Sequence, residues 1–126
     1  MKHFFFIAAV LSAISLQAQP DYSGLANAMR SGNAAAVSGF LDNNTLIQIP
    51  GTDDMLSRDA ATSTLAAFFA KNRPASCDIA NKGNSNGSSY YAIGNLSAGG
   101  RNYRVYVFAK ANGAAPLVQE LKLEAQ

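Results

Sequence analysis

The chain has 126 residues, 48% of them hydrophobic and 14% charged, with ten Lys and Arg set against eight Asp and Glu. That length suits one small domain, and the low charged fraction excludes a disordered or coiled-coil chain. A net charge of +2 is too small a bias to mark a nucleic-acid binder.

Residues 1–18 begin Met1, Lys2, His3, run apolar from Phe4 to Leu16 and close on Gln17 and Ala18. A basic start, a short apolar stretch and a small residue at the cut make the pattern of a secretory signal peptide. Gln17, Gln19, Pro20 and Asp21 arrive too soon for the roughly 20 apolar residues of a membrane anchor. The expected product is a single domain over 19–126, periplasmic or extracellular, with no membrane insertion after cleavage. Cleavage would remove His3, the only histidine, leaving no imidazole for a catalytic triad or for a zinc or copper site. No metal and no cofactor is implied. Cys77 is the only cysteine and cannot form an internal disulfide; a buried, inert thiol beside Ile79 is expected.

Asp21 and Ser23 are good N-caps for a helix carrying Leu25, Ala26, Ala28 and Met29, stopped at Ser31-Gly32. Asn33 caps a second helix, expected over 34–41 with Val37, Phe40 and Leu41 on one face. Thr45 to Ile49 is a β-rich run ended by Pro50-Gly51, and a very short strand is expected around Met55 and Leu56. Ser57 opens a third helix, with Asp59 in its first turn and Ala61, Leu65, Phe68 and Phe69 on the face that meets a sheet. Beyond Pro74 the chain alternates with period two over 76–82, 89–96, 101–110 and 117–124, with Asn86-Gly87, Gly99-Gly100 and Asn112-Gly113 as turns. The result is an α+β arrangement ending in a four-strand antiparallel meander.

This order, with Met29-Arg-Ser-Gly-Asn33, Phe68-Phe-Ala-Lys-Asn72, Tyr91-Ala-Ile-Gly94 and Tyr103-Arg-Val-Tyr106, resembles the nuclear transport factor 2-like superfamily. More narrowly it resembles a family of small secreted Bacteroidetes proteins of unknown function. The resemblance covers about residues 21–124. It implies a cone: three N-terminal helices packed on a strongly bent, mostly antiparallel, cystatin-like sheet. It also implies a membership that ranges from isomerases and dehydratases to binding and dimerisation modules, among which fold alone does not choose.

Two-residue turns at 99–100 and 112–113 would set Asn95 opposite Arg104, Ile93 opposite Tyr106 and Tyr91 opposite Phe108, with Leu117, Gln119 and Leu121 facing Phe108, Tyr106 and Arg104. This face is assigned to the helices, as a pocket lined by Tyr91, Tyr106 and Phe108 with Asn95, Arg104 and Gln119 at its polar mouth. The other face, with Tyr90, Ala92, Leu96, Tyr103, Val105, Val107 and Val118 edged by Glu120 and Lys122, is assigned to a sheet-to-sheet homodimer. An inverted assignment would make the first set the interface. The 83–87 loop leaves two registers open: one turns Cys77 and Ile79 toward the apolar set, the other puts Asp78 opposite Asn95 near Arg104.

A cofactor-free lyase or isomerase of the ketosteroid isomerase-like type would need a pocket carboxylate as acid-base. Asp78 is the one candidate, with Arg104 or a tyrosine as electrophile, and it would have to face the cone. The other acids read as caps, turns and rim. Asp53-Asp54 lacks the further oxygen ligands of a calcium loop, and no phosphate-binding or dinucleotide motif is present. The reading is an exported, non-catalytic module that binds a small apolar or amphipathic ligand or assembles as a homodimer, with Asp78-dependent catalysis as the alternative.

Overall fold

Asp21 starts the first element: its Oδ1 accepts the Gly24 N–H at 2.9 Å, satisfying one of the free amides at the N-terminus of helix α1, Tyr22–Arg30. The structure, a computed structural model, describes residues 19–85, 87–111 and 113–126, so the expected signal peptide lies outside the described residues. Asn33 caps α2, Ala34–Ser38, by accepting from the Ala36 N–H. That helix ends three residues short of its expected end, because Leu41 is already the first residue of strand β1, Leu41–Ile49. Strand β2 is longer than expected, Thr52–Ser57, and Asp53 and Asp54 lie in it instead of in a loop. Ser57 then caps α3, Arg58–Lys71, through its Oγ and the Ala60 N–H. Strands β3 (Pro74–Ser85), β4 (Ser89–Ala98), β5 (Arg101–Lys110) and β6 (Leu117–Ala125) complete the chain.

The six strands form one mixed sheet in the order β2-β1-β6-β5-β4-β3, in which β1 and β6 are parallel and all other neighbours antiparallel. The parallel pairing joins the β1-β2 hairpin to the later strands, and it is irregular: Leu41 pairs with Val118 but Leu46 with Glu120. Three contacts seal the irregularity. Thr45, fully buried, donates its hydroxyl to the Val118 carbonyl at 3.1 Å; Gln119 Nε2 donates to the Asp42 carboxylate at 2.5 Å; and Arg58 donates to the Leu41 carbonyl at 2.9 Å. Asp42 is thus a strand residue and not a helix terminus as the sequence suggests.

One sheet face carries the core. Tyr90, Ala92, Leu96, Tyr103, Val105, Val107, Val118, Leu121 and Leu123 meet Leu25, Met29, Val37, Leu65 and Phe69 of the helices, with Cys77 and Ile79 buried beside them. The expected faces are therefore inverted. The charges decide the matter: the set expected inside would have taken Arg104 into the core together with the residues that share its register. Ala92, Gly94, Ala98 and Ala109 on the true inner face are small enough for helices to approach. α1 lies over β3, and α3 over β1 and β2.

Candidate functional site

Three rows of side chains cross the outer face of the sheet, each built by strand register. The first runs Met55, Leu46, Glu120, Phe108, Tyr91 and Gly83 from β2 to β3. The second runs Asp53, Gln48, Lys122, Tyr106, Ile93 and Asn81. The third, shorter, is Glu124, Arg104, Asn95 and Asp78. Met55 is 59% and Tyr91 49% exposed, while Ile93, Tyr106 and Phe108 are half-buried, with no helix among the described residues over them. A groove of about 460 Å³ lies over the first two rows, lined by Gln48, Tyr91, Ile93, Tyr106, Phe108 and Lys122 among others.

The Tyr91 ring lies across the edge strand because its partner there is Gly83: a Cβ at that position would stand 2.1 Å from the tyrosine Cζ. The β4-β5 turn places the aromatics as expected, since Gly99 and Gly100 both adopt positive φ (59° and 76°), giving Asn95–Arg104, Ile93–Tyr106 and Tyr91–Phe108. The β5-β6 register does not follow the expected two-residue turn. Residues 111–116 connect the strands, so Phe108 pairs with Glu120, Tyr106 with Lys122 and Arg104 with Glu124, in place of Leu117, Gln119 and Leu121. Leu121 pairs with Val107 in the core.

Of the expected ligand residues, Tyr91, Tyr106 and Phe108 line the groove together; Asn95 and Arg104 are exposed beside it; Gln119 is held by Asp42. None lies within the core beneath the helices. Asp78 pairs with Asn95 in β3 and is exposed on the outer face, while Cys77 and Ile79 on either side of it point inward. The alternative that Asp78 faces the cone as an acid-base is corrected by that geometry: a carboxylate in water on the outer face has no enclosed substrate to act on. The sequence reading passed over Gln48, Leu46 and Met55, which reach this face only through the parallel β1-β6 pairing. Glu120 and Lys122, expected at the edge of the set that includes Tyr90, Ala92 and Val105, share rows with Phe108 and Tyr106 instead; their charge is the signal that orients the sheet.

Two titratable groups near the site are shifted. The Asp42 carboxyl is held below its usual range by the Asn43 backbone N–H at 2.7 Å and by the Gln119 side chain, with burial opposing and Arg58 assisting. Burial pushes the Cys77 thiol up to about 11, against the pull of Arg30 and with a further push from Asp78. Among the described residues no group of three or more His, Cys, Asp or Glu could hold a metal ion, and no helix is long and apolar enough to cross a membrane.

A family model described as Domain of unknown function (DUF4783) matches residues 22–124. A DUF4783 family protein from Bacteroides ovatus superposes with a TM-score of 0.78 at 21% identity, over 86% of this chain and 98% of that one. Another, from Bacteroides fragilis, gives 0.74 at 24% identity, over 82% and 96%. A ketosteroid isomerase-like protein from Erwinia carotovora atroseptica gives 0.69 at 8% identity, over 82% and 89%. No curated protein matches the chain. At these identities the likeness shows the fold: the chain has the α+β, NTF2-like and cystatin-like architecture with a curved, mixed, six-strand sheet.

Proposed function

The chain belongs to the family described as Domain of unknown function (DUF4783), and we propose that it is an exported, non-catalytic assembly module whose two copies pair through the outer faces of their sheets. The observation that carries this reading is the composition of that face. Solvent-facing strand positions are ordinarily polar, yet here Phe108, Tyr91, Tyr106 and Ile93 form an apolar patch over β4 and β5, bounded on the β6 side by Glu120 and Lys122, with Leu46 and Met55 beyond them. Such a patch rimmed by charge is the make-up of an interaction surface. A two-fold interface sets one patch against itself, so it needs both signs of charge in that patch. Glu120, Glu124 and Asp78 supply one sign, Lys122 and Arg104 the other. A second reading, a small apolar or amphipathic ligand seated in the groove, is favoured by its volume, about 460 Å³, which is in the usual range for ligand sites.

Phe108→Glu tests the assembly reading, because it puts a carboxylate at the centre of the patch without touching the core. Light scattering should then read a monomer where the unsubstituted protein reads a dimer, while Ala66→Glu, on the exposed side of α3, should leave the dimer in place. A Phe108→Glu protein that keeps the mass of the unsubstituted dimer would overturn the pairing through this face.

A further inference from the structure

We propose that a second site, separate from the outer face, lies where α3 ends beside the β1-β2 turn and the start of β5, and that it takes a small organic anion with an apolar body. A cavity of about 590 Å³ opens there, with Ile49, Thr64, Phe68, Lys71, Arg101 and Tyr103 among its walls. Its size is that of a small-molecule site.

The charge of the walls selects the ligand. Lys71 and Arg101 line the cavity and no Asp or Glu does. Neither cation has an ion-pair partner among the described residues, so neither is committed to holding the fold together. Cations in a cleft with apolar walls act on an anion more strongly than the same charges on open surface, because the field is focused and less screened. The C-terminal end of α3 would by itself repel an anion. That effect is reduced here, since the Phe68 carbonyl already accepts from the Asn72 N–H at 2.8 Å and from Asn72 Nδ2 at 3.1 Å, and Lys71 projects from the last turn.

Tyr103 supplies an independent observation. It is 3% exposed, its ring packs edge-on against Phe68 at 5.4 Å, and it lines the cavity, yet its hydroxyl has no hydrogen-bond partner among the described residues. The ring is buried while the hydroxyl is open to the cavity, free to bond whatever occupies it. The rings of Phe68 and Tyr103 and the Ile49 side chain offer an apolar bed, Lys71 and Arg101 a clamp for a carboxylate or phosphate, and the Tyr103 hydroxyl a donor at the inner wall.

The test is calorimetric titration of the protein with 2-naphthoate, with the neutral 2-naphthamide and with inorganic phosphate. Naphthoate should saturate one site per chain. It should bind about tenfold or more tighter than the amide, the ratio expected of a charge-assisted hydrogen bond, and tighter than phosphate. The double variant Lys71→Gln, Arg101→Gln, both exposed side chains, should erase the preference for naphthoate over the amide. Tyr103→Phe should weaken naphthoate severalfold with no loss of thermal stability, because no internal hydrogen bond is removed. Phe108→Glu should bind naphthoate as the parent does, which separates this site from the outer face. Absence of saturable naphthoate binding would overturn the proposal, as would equal affinity for acid and amide, phosphate binding as tightly as naphthoate, or indifference to the double substitution. If Tyr103→Phe fails to fold, the double variant decides alone.

Discussion

Cys77 has the chemistry of a core residue despite its thiol. It is 2% exposed on β3, and burial, partly countered by Arg30 and reinforced by Asp78, raises it to about 11. The thiolate is the nucleophile, so a thiol that keeps its proton at neutral pH reacts slowly. Iodoacetamide should alkylate the native protein far more slowly than the protein in urea; equal rates would contradict the burial. The same shift predicts that stability declines as pH rises from 9.0 toward 11, because over that window the unfolded thiol loses a proton that the folded one retains. Asp42 works in the opposite sense. Its folded form titrates below the ordinary 3.8, so its contribution is present above that value and is lost as pH falls through the lowered one. Gln119→Leu removes one of the hydrogen bonds responsible and should flatten the acid arm of a urea-denaturation series measured against pH. An unchanged acid arm would show that the contact carries no weight.

The elements show where local signals suffice and where they do not. Asp21, Asn33 and Ser57 cap the three helices they were expected to cap, since an N-cap needs only its own side chain and an amide three residues on. The Gly99-Gly100 hairpin was equally legible, both positions taking the positive φ that a two-residue turn requires. Asn112-Gly113 carried the same signal, but the connection there takes six residues, and the shift moves Arg104 from Leu121 to Glu124. The parallel β1-β6 pairing had no local signal at all: it depends on Thr45, Gln119 and Arg58 meeting partners far along the chain. The face assignment failed for a different reason. Period-two alternation yields two apolar sets and does not say which one the helices cover. Gly94 shows what the β3-β4 bulge demands: a Cβ there would stand 2.1 Å from the Asp78 backbone carbonyl oxygen, where β3 shifts register against β4. Gly94→Ala should cost about 1–3 kcal/mol, the usual penalty of overpacking, in urea unfolding. A change within experimental error would mean that the bulge relaxes freely.

As a whole molecule, the protein puts its helices, core and small residues on one side of the sheet and its uncovered aromatics on the other. Three of the candidate binding residues, Tyr91, Tyr106 and Phe108, were correctly grouped from turn geometry alone, and Asn95 and Arg104 share their face. They form the outer surface and not an interior pocket, which directs attention to assembly. Asp78, on that same surface and exposed, leaves the ketosteroid isomerase-like neighbours as relatives in fold. The measurement that bears most directly on this account is sedimentation equilibrium of the unsubstituted protein over a wide concentration range. The account predicts a reversible rise to twice the chain mass, and a single-chain mass at every concentration would contradict it.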